Sequence, residues 1–271
     1  MRVVIFSTEY IESSVIDLAN SLSESVEVML ITSSDSFPKK YLSFLSENIL
    51  VEIISMPRMR NPKSFFIIRK IVKKILSFNP DILHIQSNGH LWFLSAFDLL
   101  RKITVVNTIH DSRPHIGDKK SRGSFLLNKI GKLYTNRYVS HNEHQKHLLS
   151  HLHGISKSKI DVIPLAGHSI YSKISNKKFS EEKNTILFFG RVWPYKGLDL
   201  LINIEPLLSA KIPDVKIIVA GRGEDLDKYK EKIRDQSKFI FYNLLKISCK
   251  LSIDHINKRL FLFPLVCSKI L

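Results

Sequence analysis

The sequence has few of the residues on which covalent or metal-based frameworks depend. Only two of its 271 residues are cysteines, Cys249 and Cys267, and they lack the CxxC spacing of metal and redox sites. Two cysteines are also too few for a disulfide framework. We therefore predict no metal site and no redox function, and we interpret both thiols as buried side chains.

Glycine is scarce as well, with 10 residues in the chain, and none occurs between Ser7 and Ser14. Two β-rich runs, Arg2 to Ser7 and Val26 to Thr32, flank a stretch of helical periodicity, which predicts the opening of a doubly wound parallel sheet. A dinucleotide-binding sheet needs G-x-G-x-x-G in its first turn, where the backbone approaches a pyrophosphate. The missing glycines argue against an NAD-dependent dehydrogenase.

Long apolar runs are missing, and acidic residues are in the minority. No window approaches the ~20 apolar residues of a membrane span, and the first residues predict a strand rather than a signal peptide, so we expect a cytoplasmic protein. With 41 basic against 25 acidic residues the formal charge is +16, which favours anionic partners. Nucleic acid is not expected among them, because the basic residues are dispersed and carry no recognised motif.

Residues 57–76, PRMRNPKSFFIIRKIVKKIL, predict an amphipathic helix with lysines and Arg69 opposite an apolar stripe. Two interpretations are compatible. In the first, the helix covers a sheet with its apolar face and its lysines are solvated. In the second, the basic face also makes peripheral contact with anionic membrane at the inner face of the cell membrane.

Periodicity also predicts helices over Leu91 to Leu100 and Leu126 to Tyr138. A further helix contains four histidines, and His144, His147 and His151 share one of its faces, as metal ligands would. Because no H-E-x-x-H pattern accompanies them, we interpret this segment as an ordinary amphipathic helix and predict no bound metal.

The segment from Thr185 to Ile202, TILFFGRVWPYKGLDLLI, is the most informative. It predicts a buried strand, a turn at Gly190 and a helix that begins near Gly197. Arg191 and Lys196 flank the helix N-terminus, where free backbone N–H groups attract anions, so the segment predicts a diphosphate-binding loop. The alternative is that both cations are solvated loop charges.

This segment resembles the donor-binding loop of the retaining glycosyltransferases of family 4. Their loop follows a G-R-x-x-x-x-K-G pattern, which Gly190, Arg191, Lys196 and Gly197 match position by position. The resemblance implies a GT-B-like α/β fold with two Rossmann-like doubly wound lobes. It also implies that these four residues hold the diphosphate of a nucleotide sugar, without a metal or another cofactor.

Two more site predictions follow from the same resemblance. His110 comes at the end of the predicted strand Ile103 to Ile109, where the family has a histidine that contacts the donor sugar. The turn after the predicted strand Val215 to Ala220 resembles the family's second glycine turn, which places Gly221 and Gly223 near the nucleotide.

The resemblance predicts an N-terminal acceptor-side domain over 1–168, a linker over 169–184 and a partial nucleotide-sugar domain over 185–271. The family's second domain continues for roughly another hundred residues, so we expect the second lobe to be incomplete. The implied function is sugar transfer with retention to a saccharide or lipid-linked acceptor, in cell-surface polysaccharide or lipopolysaccharide synthesis. The alternative is a truncated, inactive remnant that binds anionic ligands or membrane.

Overall fold

The computed structural model describes residues 1–8, 13–34, 37, 39–56, 61–86, 91–113, 129–165 and 182–242. The described residues up to 165 form one compact unit, and those from 182 to 242 form a second. Most of the predicted linker, 169–184, and the predicted elements beyond Tyr242 lie outside the described residues. The domain boundaries therefore stay a prediction.

The first unit is built on a seven-stranded parallel sheet in the order β3-β2-β1-β4-β5-β6-β7. The order reverses at β1, as in doubly wound sheets, in which ligands bind at the carboxyl ends of the strands. The strands are β1 Arg2–Ser7, β2 Glu27–Ser33, β3 Leu50–Ile54, β4 Ile82–Ile85, β5 Thr104–Thr108, β6 Arg137–Ser140 and β7 Ile160–Val162.

Helices cover this sheet because each presents an apolar stripe to it. In the longest of them, α2, the residues at helical spacing from Ile68 to Ile75 are buried against β1 and β4. Phe6 and Phe93 meet edge to face in the same core, with ring centroids 5.2 Å apart. The helices are α1 Ser13–Ser23, α2 Ser64–Ser77, α3 Phe97–Leu100 and α4 Glu143–His153.

Two helix predictions were partly wrong. Residues Leu91–Ala96 form a 3-10 helix, and only Phe97–Leu100 are α-helical. The predicted helix over Leu126 to Tyr138 ends early, since Arg137–Ser140 pair with β5 and β7. Backbone pairing within the sheet outweighs a local periodicity of apolar residues at this point.

The second unit contains a three-stranded parallel sheet in the order β10-β9-β8. Two helices pack on it, and the core includes Phe188 of the first strand and Leu201 of the first helix. The elements are β8 Thr185–Arg191, α5 Leu198–Lys211, β9 Lys216–Arg222, α6 Leu226–Glu231 and β10 Phe239–Tyr242. The predicted α/β class with parallel Rossmann-like sheets is confirmed.

Within the described ranges, no helix combines the length and the apolar character needed to cross a bilayer.

Candidate functional site

The end of β8 and the loop that joins it to α5 carry the predicted diphosphate-binding residues. The first residue after the strand, Val192, is buried and donates its backbone N–H to the carbonyl of Arg222 over 2.8 Å. A 3-10 turn, Pro194–Lys196, then leads into the helix. The buried valine anchors the loop, so that the exposed Arg191 and Lys196 are carried at the carboxyl end of the sheet.

Aromatic side chains of the same loop support both cations. The Arg191 guanidinium lies over the Trp193 ring, 4.2 Å from its centroid, and the Lys196 Nζ lies 5.1 Å from the centroid of Tyr195. The electron-rich ring faces attract the cations and restrict their rotamers. The sequence pattern R-x-W-x-Y-K therefore positions its own charges, a role that the spacing of Arg191 and Lys196 alone did not reveal.

Helix α5 begins directly at this loop. Gly197 is its N-cap residue and has φ +76°, a left-handed conformation that favours glycine. The helix is 14 residues long, and the backbone N–H groups of its first turn have no carbonyl partner inside the helix. These groups and the positive end of the helix dipole add to the charges of Arg191 and Lys196 as an anion-binding arrangement.

Arg222 is a third cation at the carboxyl end of this sheet, and it was not predicted from the sequence. Arg222 ends β9 and is the register partner of Arg191 at the end of β8. Parallel neighbouring strands lie about 4.8 Å apart, so the two arginines lie side by side at the ends of their strands. The signal was present in the sequence as an arginine between two glycines, Gly221 and Gly223.

Gly221 and Gly223 have a structural role that the resemblance did not imply. A Cβ atom on Gly221 would overlap with the carbonyl oxygen of Gly190, and one on Gly223 would overlap with the carbonyl oxygen of Val192. Both glycines therefore allow the end of β9 and the residue after it to lie against the end of β8 and the residue after it. Their predicted contact with a nucleotide stays a prediction.

In the first unit, His110 lies at the carboxyl edge of the sheet, just after β5. Its Nε2 lies 3.2 Å from the carbonyl oxygen of Gln86, and its Nδ1 lies 3.2 Å from Nε2 of His141. His141 follows β6, and its own Nδ1 lies 3.0 Å from the carbonyl oxygen of Ile163. The sheet thus brings His110 together with His141, which sequence reasoning missed because the two residues are far apart along the chain.

His84 is connected to His110 through Gln86, which contacts both histidines. Its Nε2 lies 2.9 Å from the Thr108 hydroxyl and 3.0 Å from the side-chain amide nitrogen of Gln86. Burial, and secondarily the nearby charge of His110, lower the pKa of His84 to about 4. His84 is therefore neutral at physiological pH, and its Nε2 accepts the hydrogen of the Gln86 amide.

The histidine-rich helix α4 shows no metal geometry. His144, His147 and His151 are exposed, whereas His153 is buried and its Nε2 donates to the carbonyl of Ser112 over 2.7 Å. In the part of the chain that the structure describes, no group of three His, Cys, Asp or Glu side chains could hold a metal ion.

Several known proteins are similar to this chain in sequence or in fold. The gpi3 subunit of phosphatidylinositol N-acetylglucosaminyltransferase from Schizosaccharomyces pombe is 27% identical over 241 residues, which are 84% of this chain and 52% of that protein. The phosphatidyl-myo-inositol mannosyltransferase of Mycolicibacterium smegmatis is 40% identical over 58 residues, 21% of this chain and 15% of that protein. This chain thus spans about half the length of the first relative.

Among solved structures, Alr3699/HepE of Anabaena in complex with UDP-glucose superimposes with a TM-score of 0.61 at 14% identity, covering 89% of this chain and 68% of that one. At this identity the likeness concerns the fold alone, and it supports the predicted GT-B-like architecture.

Family models match both parts of the chain. The model described as Glycosyl transferases group 1 matches residues 171–243, which include the loop with Arg191 and Lys196. The model described as Glycosyltransferase Family 4 matches residues 11–166, more than half of the chain. The chain therefore belongs to Glycosyltransferase Family 4.

Proposed function

We propose that this protein transfers a sugar from a nucleoside diphosphate sugar to a saccharide or lipid-linked acceptor and retains the anomeric configuration. One observation carries the proposal: Arg191, Lys196 and the N-terminus of a 14-residue helix meet in one loop. A leaving diphosphate gains negative charge in the transition state, and fixed cations and N–H groups stabilise that charge. The arrangement supplies this stabilisation without a metal.

Arg222 strengthens this interpretation because it doubles the guanidinium groups at the carboxyl edge of the second sheet. A planar guanidinium binds phosphate oxygens through paired hydrogen bonds, which a lysine cannot do. We assign Arg191 and Arg222 to the diphosphate, with Lys196 as an additional point charge.

His110 is the residue that we assign to the donor sugar. Both of its ring nitrogens have protein partners at 3.2 Å, which is long for a hydrogen bond. Exchanging the Gln86 carbonyl for a sugar hydroxyl therefore costs little, and Nε2 would donate its hydrogen to the sugar.

The acceptor that we propose is a lipid-linked saccharide, as in lipopolysaccharide or cell-surface polysaccharide synthesis, or alternatively a phospholipid headgroup. Two relatives support a lipid acceptor, since their names place them in glycosyl transfer to phosphatidylinositol. Phosphatidylinositol and polyprenyl-diphosphate saccharides are therefore the two acceptor classes to compare.

Helix α2 supports contact with an anionic membrane. Phe66 points away from the buried face and is 73% exposed. The exposed Lys63, Lys70 and Lys73 recur at helical spacing around it. An exposed aromatic ring within a cluster of lysines suits the headgroup region of anionic lipid, where each lysine contributes about 1 kcal/mol.

Calorimetric titration with UDP, GDP and ADP tests donor binding. We expect Arg191→Ala to weaken binding of the preferred nucleotide by ~1.5 to 3 kcal/mol, about 10- to 150-fold, through loss of charge-assisted hydrogen bonds. Lys216→Ala is the matched control, because Lys216 is an exposed cation at the amino end of β9. Equal affinity of the Arg191→Ala variant and the wild type would contradict the assignment.

Turnover is tested separately, with phosphatidylinositol and polyprenyl-diphosphate saccharides as acceptors. The anomeric proton coupling of the product reports retention or inversion. Nucleotide binding without turnover on either class would favour the alternative of a catalytically inactive, anion-binding protein.

Membrane contact is tested by sedimentation with vesicles of phosphatidylcholine and of phosphatidylglycerol. We expect binding to phosphatidylglycerol alone, a loss of about fivefold in Lys70→Gln, and a further loss in Phe66→Ser. Leu133→Ser is the control, since Leu133 is 62% exposed in the same unit but outside α2. Equal losses in the control and in Phe66→Ser would refute a specific role of α2.

A further inference from the structure

The contact between His110 and His141 depends on which of their four ring nitrogens carry a hydrogen. Nε2 of His110 faces the carbonyl oxygen of Gln86, and Nδ1 of His141 faces the carbonyl oxygen of Ile163. A carbonyl oxygen can only accept a hydrogen bond, so each of these two nitrogens carries a hydrogen. The remaining nitrogens, Nδ1 of His110 and Nε2 of His141, face each other over 3.2 Å.

The number of protons on the pair decides whether this contact attracts or repels. If both rings are neutral, the facing nitrogens present two lone pairs to each other and no hydrogen lies between them. If both rings are imidazolium ions, two N–H groups point at each other and two positive charges adjoin. Only the state with one additional proton gives an N–H···N hydrogen bond, with one ring as donor and the other as acceptor.

We infer that His110 and His141 hold one shared proton between Nδ1 and Nε2, and that His141 is a positioning residue that sets the tautomer and the charge of His110. The ring centroids lie 4.9 Å apart with 47° between the ring planes. In this one orientation each ring contacts its backbone carbonyl and the other ring. The pair carries a single positive charge.

Groups on the neighbouring elements are compatible with one charge at this place. From β4, His84 faces His110 and stays neutral, because burial lowers its pKa to about 4. The backbone carbonyls of Gln86 and Ile163 direct their negative ends at the pair. Asp111, next in the chain, supplies the nearest carboxylate in sequence.

The consequence for catalysis rests on the proposed function. His110 donates from Nε2 to a sugar hydroxyl only while its Nδ1 is held by His141, and the shared proton leaves this donor in place whichever ring carries the charge. The pair would also attract a negatively charged group of a ligand to the carboxyl edge of the first sheet.

Nuclear magnetic resonance of the full chain with ¹⁵N-labelled histidines tests the inference without any substrate. Between pH 5 and 9 we expect the ring nitrogens of His110 and His141 to titrate as a coupled pair, in two common steps. In His141→Phe, which keeps a ring but has no nitrogen, His110 should titrate in one step, displaced by about one pH unit or more. His144→Phe, at an exposed position of α4, should leave the His110 curve unchanged.

His141→Gln is a second variant that keeps a neutral donor for Nδ1 of His110. It should preserve the hydrogen on His110 Nε2 but abolish the coupled titration, and it covers the case in which the phenylalanine variant does not fold. Independent titration of the two rings in the wild type, or an unchanged His110 curve in both variants, would overturn the inference. Neither result depends on whether the protein transfers a sugar.

Discussion

Gly221 lies directly opposite Gly190 in the register of β9 and β8, and a Cβ atom on Gly221 would overlap with the carbonyl oxygen of Gly190. The two strands therefore approach each other at the base of the diphosphate loop only because Gly221 has no side chain. The position of Arg191, the next residue of β8, depends on this approach.

We expect Gly221→Ala to lower the free energy of unfolding by about 1 to 3 kcal/mol, because the methyl group forces the two strands apart. Urea unfolding measures the change. Gly131→Ala is the control, since a Cβ atom there would meet its nearest neighbour, Asn107 Nδ2, at an ordinary 3.6 Å. A neutral Gly221→Ala variant would show that the strands are not held at this distance.

Arg222→Ala should weaken nucleoside diphosphate binding by about 1 to 2 kcal/mol, because one of two adjacent guanidinium groups is lost. Calorimetry at two salt concentrations measures the change, and the wild type should lose more affinity at high salt than the variant. Lys216→Ala at the opposite end of the same strand should behave as the wild type. If Arg222→Ala does so too, Arg222 does not contact the ligand.

Trp193→Leu should weaken nucleotide binding by about 0.5 to 1 kcal/mol, a factor of roughly two to five, because Arg191 loses the ring that it stacks on. The same calorimetric titration is the measurement. Trp193→Phe keeps an aromatic face and should retain most of the affinity. Equal losses in both variants would show that the ring face is not what positions Arg191.

His84 should make the fold less stable in mild acid. Its pKa is lowered from 6.5 to about 4, so between these values the unfolded chain binds a proton that the folded chain excludes. The contribution is complete above pH 6.5 and is lost as the pH falls towards 4, by up to about 3 kcal/mol. Urea unfolding at pH 7 and pH 4.5 measures it.

In His84→Gln the difference in unfolding free energy between the two pH values should become smaller. His147→Gln, at an exposed position of α4, should keep the wild-type difference. If His84→Gln and the wild type show the same pH dependence of the unfolding free energy, His84 is not the group that makes the fold sensitive to acid.

Much of the fold was predictable because its signals are local. Apolar runs of four to seven residues indicated the parallel strands, and helical spacing indicated α1, α2 and α5. The segments that were predicted wrongly are those in which two local tendencies compete. At Arg137 and Tyr138 the pairing with β5 replaced the helix that the periodicity favoured.

The site of the second unit was predictable only in part. Gly190, Arg191, Lys196 and Gly197 lie within one short stretch, so the chain order alone placed them in one loop. Arg222 was missed because its proximity to Arg191 comes from strand register, which cannot be read along the chain.

The sequence by itself determined the parallel α/β class, the loop that joins β8 to α5 and the excess of positive charge, since each depends on neighbouring residues or on composition. Only the tertiary structure decided that Nε2 of His141 lies against Nδ1 of His110, that Arg222 lies beside Arg191, and that Gly221 and Gly223 allow two strand ends to approach. These relationships arise where separate strands end at one edge of a sheet, because pairing between strands, and not distance along the chain, brings such residues together.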